Sequence, residues 1–173
     1  MPILAKDTQR EFAAAPEGLH QGVCIDVVDL GIVPTGFGDK HMIEIRWHLE
    51  AEDPTTGHPF MVMQRYNLTL NEKAKLRHHL EAWRGRKFTK DELKGFDVEK
   101  LVGVNCQIQV VHNLSEDGRT WANVSAVVPL GKGMGKIRGG EGYVRVKDRA
   151  AQQPTTATNG HAAPPEPEGE APF

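Results

Sequence analysis

Apolar and polar residues alternate along "HMIEIRWHLE", which sets Ile43, Ile45, Trp47 and Leu49 on one face and Glu44, Arg46 and His48 on the other. A period of two marks a half-buried strand. Upstream, "LHQGVCIDVVDLG" alternates Val23, Ile25 and Val27 with Cys24, Asp26 and Val28, a strand with one well-buried face. Between the two, "IVPTGFGDK" carries Pro34, Gly36 and Gly38 and reads as a loop. Downstream, "AEDPTTGHP" is a turn. "FMVMQRYNLTL" is a third strand, with Phe60, Val62, Tyr66 and Leu68 facing one way and Met61, Met63, Arg65 and Asn67 the other.

The period then changes. In "NEKAKLRHHLEAWRG", Leu76, Leu80 and Trp83 form a single helical stripe, with Asn71 as the expected cap and Gly85 as the stop. Thr89 and Glu92 stand at capping-box spacing, with Phe88 and Leu93 at the two staple positions, and a short turn is expected at Asp97. Alternation returns in "VNCQIQVVHN", where Cys106, Ile108 and Val110 oppose Asn105, Gln107 and Gln109. "LSEDGRT" holds an Asp-Gly hairpin signal, and "WANVSAVVPL" is the partner strand, with Ala122, Val124 and Ala126 inward and Trp121 outward.

The expected order is three strands, a helix and two strands. That order predicts an all-β domain with one or two helices, built as an OB-like five-stranded barrel. Its helix falls between strands 3 and 4. The OB fold gathers oligonucleotide contacts on strands 2 and 3 and on the loops joining strands 1 to 2 and 4 to 5. A flat α+β sheet has the same element order. The chain divides into a mobile arm (1–17), the OB-like domain (18–130), a glycine-rich basic extension (131–149) and a disordered acidic tail (150–173), which is rich in Ala, Pro, Thr, Gly and Glu.

Charge sharpens the division. All 21 basic residues and 20 of the 23 acidic ones lie within 1–149, so the body is about +1 and the tail −3. That is not the strongly basic face of a duplex binder, yet it permits local basic grooves. The two cysteines, Cys24 and Cys106, make no disulfide framework; they read as small core residues of a reduced, cytoplasmic protein. With no signal core and no apolar run of about 18 residues, neither export nor a membrane partner is expected.

Catalysis finds little support. Cys-x-x-Cys and His-Glu-x-x-His spacings are absent, so no metal site and no cofactor are expected. His78 and His79 are adjacent on a helix and point about 100° apart. "GKGMGKIRGG" falls one residue short of a phosphate loop and has Ile137 where Ser or Thr would bind magnesium.

Single-strand nucleic-acid binding fits better. It needs rings on which bases stack and cations along the phosphate path. Phe37 and Lys40 stand in the first loop, Arg46, Trp47, Arg65 and Tyr66 on strands 2 and 3, and Arg119 and Trp121 at the last hairpin. Lys132, Lys136 and Arg138 lie in the basic extension, where interleaved glycines let the chain drape over phosphates. For Trp47, the face shared with Ile43, Ile45 and Leu49 favours core packing over stacking; for Tyr66 the two readings balance. Phe37 and Trp121 read as exposed.

The OB-like pattern, the low-complexity linker and the ending "EPEGEAPF" together resemble the single-stranded DNA-binding proteins of bacteria and their phages. "LNEKAKLRHHLEAWRGRKFTKDELKGFDVEKLVG" and the "VVHN…DGRTWANV" hairpin are similar to the phage-encoded members, and the likeness spans roughly 18–130. It implies sequence-independent binding of single-stranded DNA in replication or recombination, without enzymatic activity, in the cytoplasm (the host's, for a phage-encoded chain). It also implies recruitment of replication or recombination proteins through the tail tip. Phe173 and Pro172 would fill an apolar pocket on the partner, and Glu166, Glu168 and Glu170 would form the acidic run. The bacterial pattern has consecutive aspartates and a bulkier residue before the proline; here the acids alternate with Pro167 and Gly169, and Ala171 precedes Pro172. Self-association is left open. The alternative is an OB-like adaptor that binds a protein partner and no nucleic acid.

Overall fold

The computed structural model describes residues 13–152. Five antiparallel strands form one sheet: β1 (Gly18–Thr35), β2 (Gly38–Glu52), β3 (Pro59–Asn67), β4 (Asn105–Leu114) and β5 (Thr120–Val128). Helix α1 (Lys75–Arg84) and two 3₁₀ turns, Glu92–Lys94 and Val98–Leu101, connect β3 to β4. The architecture is mostly β, with few helices, as expected.

The sheet order is β3-β2-β1-β4-β5. No ladder joins β3 to β5 among the described residues, so the sheet is not closed by hydrogen bonds. The two edge strands nonetheless approach to within 8 Å between Cα atoms, and α1 packs against both. This is the strand order of a partly open five-stranded barrel.

The core lies on one face of the sheet, the face that packs against α1. Ile43, Ile45, Trp47 and Leu49 of β2 are buried there with Phe60, Val62 and Tyr66 of β3 and Cys106, Ile108 and Val110 of β4. Leu76, Leu80 and Trp83 of α1 close it from below, and the Trp47 and Trp83 rings stand 6.0 Å apart. The helix stops at Gly85, whose φ of 68° is the left-handed conformation that favours glycine. The expected Asn71 cap is not used. Ala74 occupies the cap position without a side-chain bond, while Asn71 Oδ1 accepts from Lys73 N one turn early. The Thr89–Glu92 capping box does form: Thr89 N donates to Glu92 Oε2 (2.9 Å) and Glu92 N to Thr89 Oγ1 (3.3 Å). Asp97 caps the second 3₁₀ turn by accepting from Glu99 N.

Bulges shift which residues face inward. The irregularity between Cys24 and Asp26 changes the phase of β1, so Cys24 and Val27 join the core while Val23 and Ile25 do not. A second, opposite Gln109 and Val110, inserts Ser125 into β5 and turns Val127 inward in place of Ala126. Leu68 is exposed because β3 ends at Asn67.

Three segments depart from the expected loops and arms. "IVPTGFGDK" is strand, not loop: Val33 pairs with Lys40, Pro34 with Asp39 and Thr35 with Gly38, leaving Gly36 and Phe37 as a tight turn. Pro34 is tolerated because β1 has only β2 as a ladder partner there. The end of the N-terminal arm is pinned rather than mobile. Ala15 is buried in the core, its carbonyl bonds the His112 ring (2.6 Å), and Glu17 Oε1 accepts from His112 N (2.7 Å). The basic extension is largely folded too, as described below.

The described residues divide into two units that part between Tyr143 and Val144. In the second, Val146–Gln152 is a helix (α2) that the sequence pattern does not announce, with Arg149 Nε donating to Val144 O. Among the described residues no helix is long and apolar enough to cross a membrane.

Candidate nucleic-acid interface

The outer face of the sheet carries side chains in rows that cross the strands. Asn105, Val23, His48 and Met61 make one row across β4, β1, β2 and β3; Asp26, Arg46 and Met63 make the next; Glu44 and Arg65 are paired beyond it. A strap of backbone, residues 131–143, follows the first row and covers Asn105, Val23 and His48, leaving Met61 beyond it. Gln21 Nε2 donates to Gly135 O (2.6 Å). Asn105 grips Ile137 with both ends of its amide, accepting from N (2.9 Å) and donating to O (3.1 Å). Gly140 N donates to His48 Nδ1 (3.1 Å), and burial keeps the His48 pKa below its ordinary value, so the ring stays a neutral acceptor. The strap must be glycine at its closest approach. A Cβ on Gly139 would collide with Val23 Cγ1 and stand 2.8 Å from Ile25 Cγ2.

Tyr143 anchors the far end. Its hydroxyl donates to Asp26 Oδ2 (2.9 Å) and accepts from Arg46 Nη1 (3.1 Å). Arg46 and Arg65 both bind the buried Glu44 carboxylate, at 2.7 and 3.0 Å. Burial alone would raise the Glu44 pKa, but the bonds from Arg65 and Arg46 outweigh it and hold the carboxyl below its usual range. Burial likewise works against charge on Arg46 and is outweighed by Glu44 and Tyr143. The Tyr143 hydroxyl is pushed up, first by burial and then by its bond to Asp26.

This geometry sorts the expected site residues. Trp47 is fully buried and Tyr66 is 2% exposed, so neither offers a ring face to a ligand. Both are corrected to core: they lie on the face of β2 and β3 that packs against α1, and the Tyr66 hydroxyl bonds His79 Nδ1 (2.7 Å). Arg46 is committed to Glu44 and Tyr143, and Arg119 is paired with Asp117 (3.2 Å) at the β4–β5 turn. Phe37, 93% exposed, caps the β1–β2 hairpin, and Lys40 is exposed beside it. Trp121 is 56% exposed on the outer face of β5, opposite Asn113. Lys132, Lys136 and Arg138 are exposed on the strap and take part in no ion pair among the described residues. They were expected on a flexible linker and stand instead on a segment fixed to the sheet. Glu166, Glu168, Glu170, Pro172 and Phe173 lie outside the described residues.

Met61 and Met63 escaped the sequence reading, although the alternation placed them outward. They are partly exposed beyond the strap, next to Arg65, on the β2–β3 side. The signal was two large apolar residues on a polar face. The strap's anchors, Gln21, Asn105, His48 and Tyr143, were also missed, because only the folded chain shows what they hold.

Among the described residues no group of three or more His, Cys, Asp or Glu side chains could hold a metal. A shallow cavity of about 230 Å³ lies near Trp83, Phe96, Lys100 and Leu130, below the usual range of about 300–1,000 Å³ for small-molecule sites. No known family model matches the chain, and no curated protein is significantly similar to it.

Proposed function

We propose that this protein binds single-stranded DNA without sequence preference, on the outer face of the sheet and the strap that crosses it. The observation that carries the reading is that three strap cations, Lys132, Lys136 and Arg138, are exposed and take part in no ion pair among the described residues, with the exposed rings Phe37 and Trp121 on the two hairpins. Cations track phosphates and rings accept bases, with stacking worth about 1–3 kcal/mol per base. Met61, Met63 and Arg65 extend the surface over β3, where an OB fold gathers its ligand. The protein serves DNA replication or recombination as a non-enzymatic coat. Its acidic tail, residues 150–173, recruits protein partners through the segment around Glu166 to Phe173, and the chain works in the cytoplasm.

Titration of the full chain with oligo-dT tests this, read by tryptophan emission and by the anisotropy of a labelled strand. Saturable binding at low salt, much weaker for duplex, is expected. Lys40, Lys132, Lys136 and Arg138 together set an upper slope of about 2.8 for the fall of log K with log salt, at about 0.7 per neutralised phosphate. No binding at low salt would refute the reading.

One observation favours a protein-binding adaptor instead: Ile32, Phe37, Leu114 and Trp121 are large apolar residues exposed around the two hairpins. That reading predicts salt-insensitive capture of a protein and no DNA binding.

A further inference from the structure

We infer that the docked strap is itself the phosphate-binding element, and that Gly139 and Tyr143 are the positioning residues that hold it in place; this rests on the DNA-binding reading above. The contrary possibility is that the strap is a cover, lifted to expose a binding face beneath. The chemistry of that hidden face decides between them. Under the strap lie Val23 and Ile25, against Gly139, and Asp26, bonded to Tyr143, with the Glu44 carboxylate on the far side of Arg46. The two arginines nearby, Arg46 and Arg65, are already bound to Glu44. Stripped of the strap, the face is apolar and electrically balanced, so it offers a polyanion no net attraction. With the strap docked, Lys132, Lys136 and Arg138 stand over it against a single acid, Glu141, so residues 131–143 contribute a net charge of +2.

The receptor for the strap is specific rather than incidental. Asn105 reproduces the two-bond pairing of a strand neighbour on Ile137. His48 takes the Gly140 N–H, and Tyr143 fills the space between Asp26 and Arg46. Its ring also packs edge-on to His48, with centroids 5.9 Å apart. With Gln21 on Gly135, five side chains of the sheet thus fix the path of a segment with no regular secondary structure. A fixed path sets the spacing of three cations, as a phosphate backbone needs; on a free linker the same cations would have to be ordered on each binding event.

Two amides report docking directly, Ile137 N–H and Gly140 N–H, since each is held by a side chain of the sheet. Hydrogen exchange at both, with and without oligo-dT, is the first measurement. Exchange should slow on binding, because ligand and strap stabilise each other. The second is the salt dependence of oligo-dT binding for wild type, Gly139→Ala and Tyr143→Phe. Gly139→Ala cannot seat against Val23, and Tyr143→Phe loses only the hydroxyl bonds. Both should speed exchange at the two amides, lower affinity about tenfold or more at low salt, and flatten the salt slope. The full loss of three cations corresponds to a slope change of about 2. Lys132→Ala/Lys136→Ala/Arg138→Ala should flatten the slope in the same way with exchange unchanged, which separates charge from docking and from any loss of fold. Faster exchange on adding DNA, or unchanged or tighter binding by Gly139→Ala with its strap undocked, would overturn the assignment while leaving DNA binding intact. A wild type that binds no DNA would instead defeat the functional reading itself.

Discussion

Three tryptophans divide the labour of reporting. Trp47 and Trp83 are buried against each other in the core, while Trp121 stands on the outer face of β5. An emission change on adding oligo-dT should therefore come from Trp121 alone. Trp121→Phe is expected to abolish the change and to keep most of the affinity, since a ring remains. Phe37→Ala should weaken binding about tenfold, within the range for one lost stack, without lowering Tm, because the ring has almost no neighbours to lose. A persistent emission change in Trp121→Phe would move the ligand elsewhere. Deeper in, burial drops the His79 pKa from its usual 6.5 to about 4, helped by the charges of Lys75 and His78. The unfolded chain therefore binds the extra proton first. Stability should fall as pH drops from about 6.5 to about 4 and be unaffected by this group above that window. His79→Gln should flatten that limb of a Tm-against-pH curve; an unchanged limb would place its origin elsewhere.

At the scale of elements, strand positions and types were legible in the sequence because each strand buries one face against the core and shows it as a period of two. What alternation could not show is where the period slips. The bulge that inserts Ser125 sends Val127 rather than Ala126 into the core, and the irregularity after Cys24 leaves Val23 and Ile25 under the strap. Val127→Asp should therefore cost more than about 4 kcal/mol and unfold the domain, while Ala126→Asp should be tolerated. Simple alternation predicts the reverse, so chemical denaturation of the two variants decides which face each residue occupies. The strap was illegible for a different reason. "GKGMGKIRGG" has no periodicity, and its order comes from Asn105, Gln21 and His48 on distant strands. Glycine read as a sign of flexibility is here a sign of close approach, since only Gly139 fits against Val23.

Over the whole molecule, the balance of charge is nearly even, and the proposed binding rests on where the cations that form no ion pair among the described residues stand. The sheet neutralises its own outer-face arginines on Glu44, and the strap restores positive charge above them. Much of the candidate surface was legible as residue types: exposed rings at the hairpins and cations in the extension. Trp47 and Tyr66 were the positions where alternation and ligand chemistry competed, and core packing won because their face is the one closed by α1. The central claim is that single-stranded DNA runs over the strap and between the two hairpins. Backbone and side-chain NMR shifts of the full chain on titration with oligo-dT test it most directly. The largest changes should fall on Phe37, Lys40, Met61, Met63, Arg65, Trp121 and residues 131–143, with α1 unaffected. Shifts confined to α1 and the cavity beside Trp83, or none at all, would contradict it.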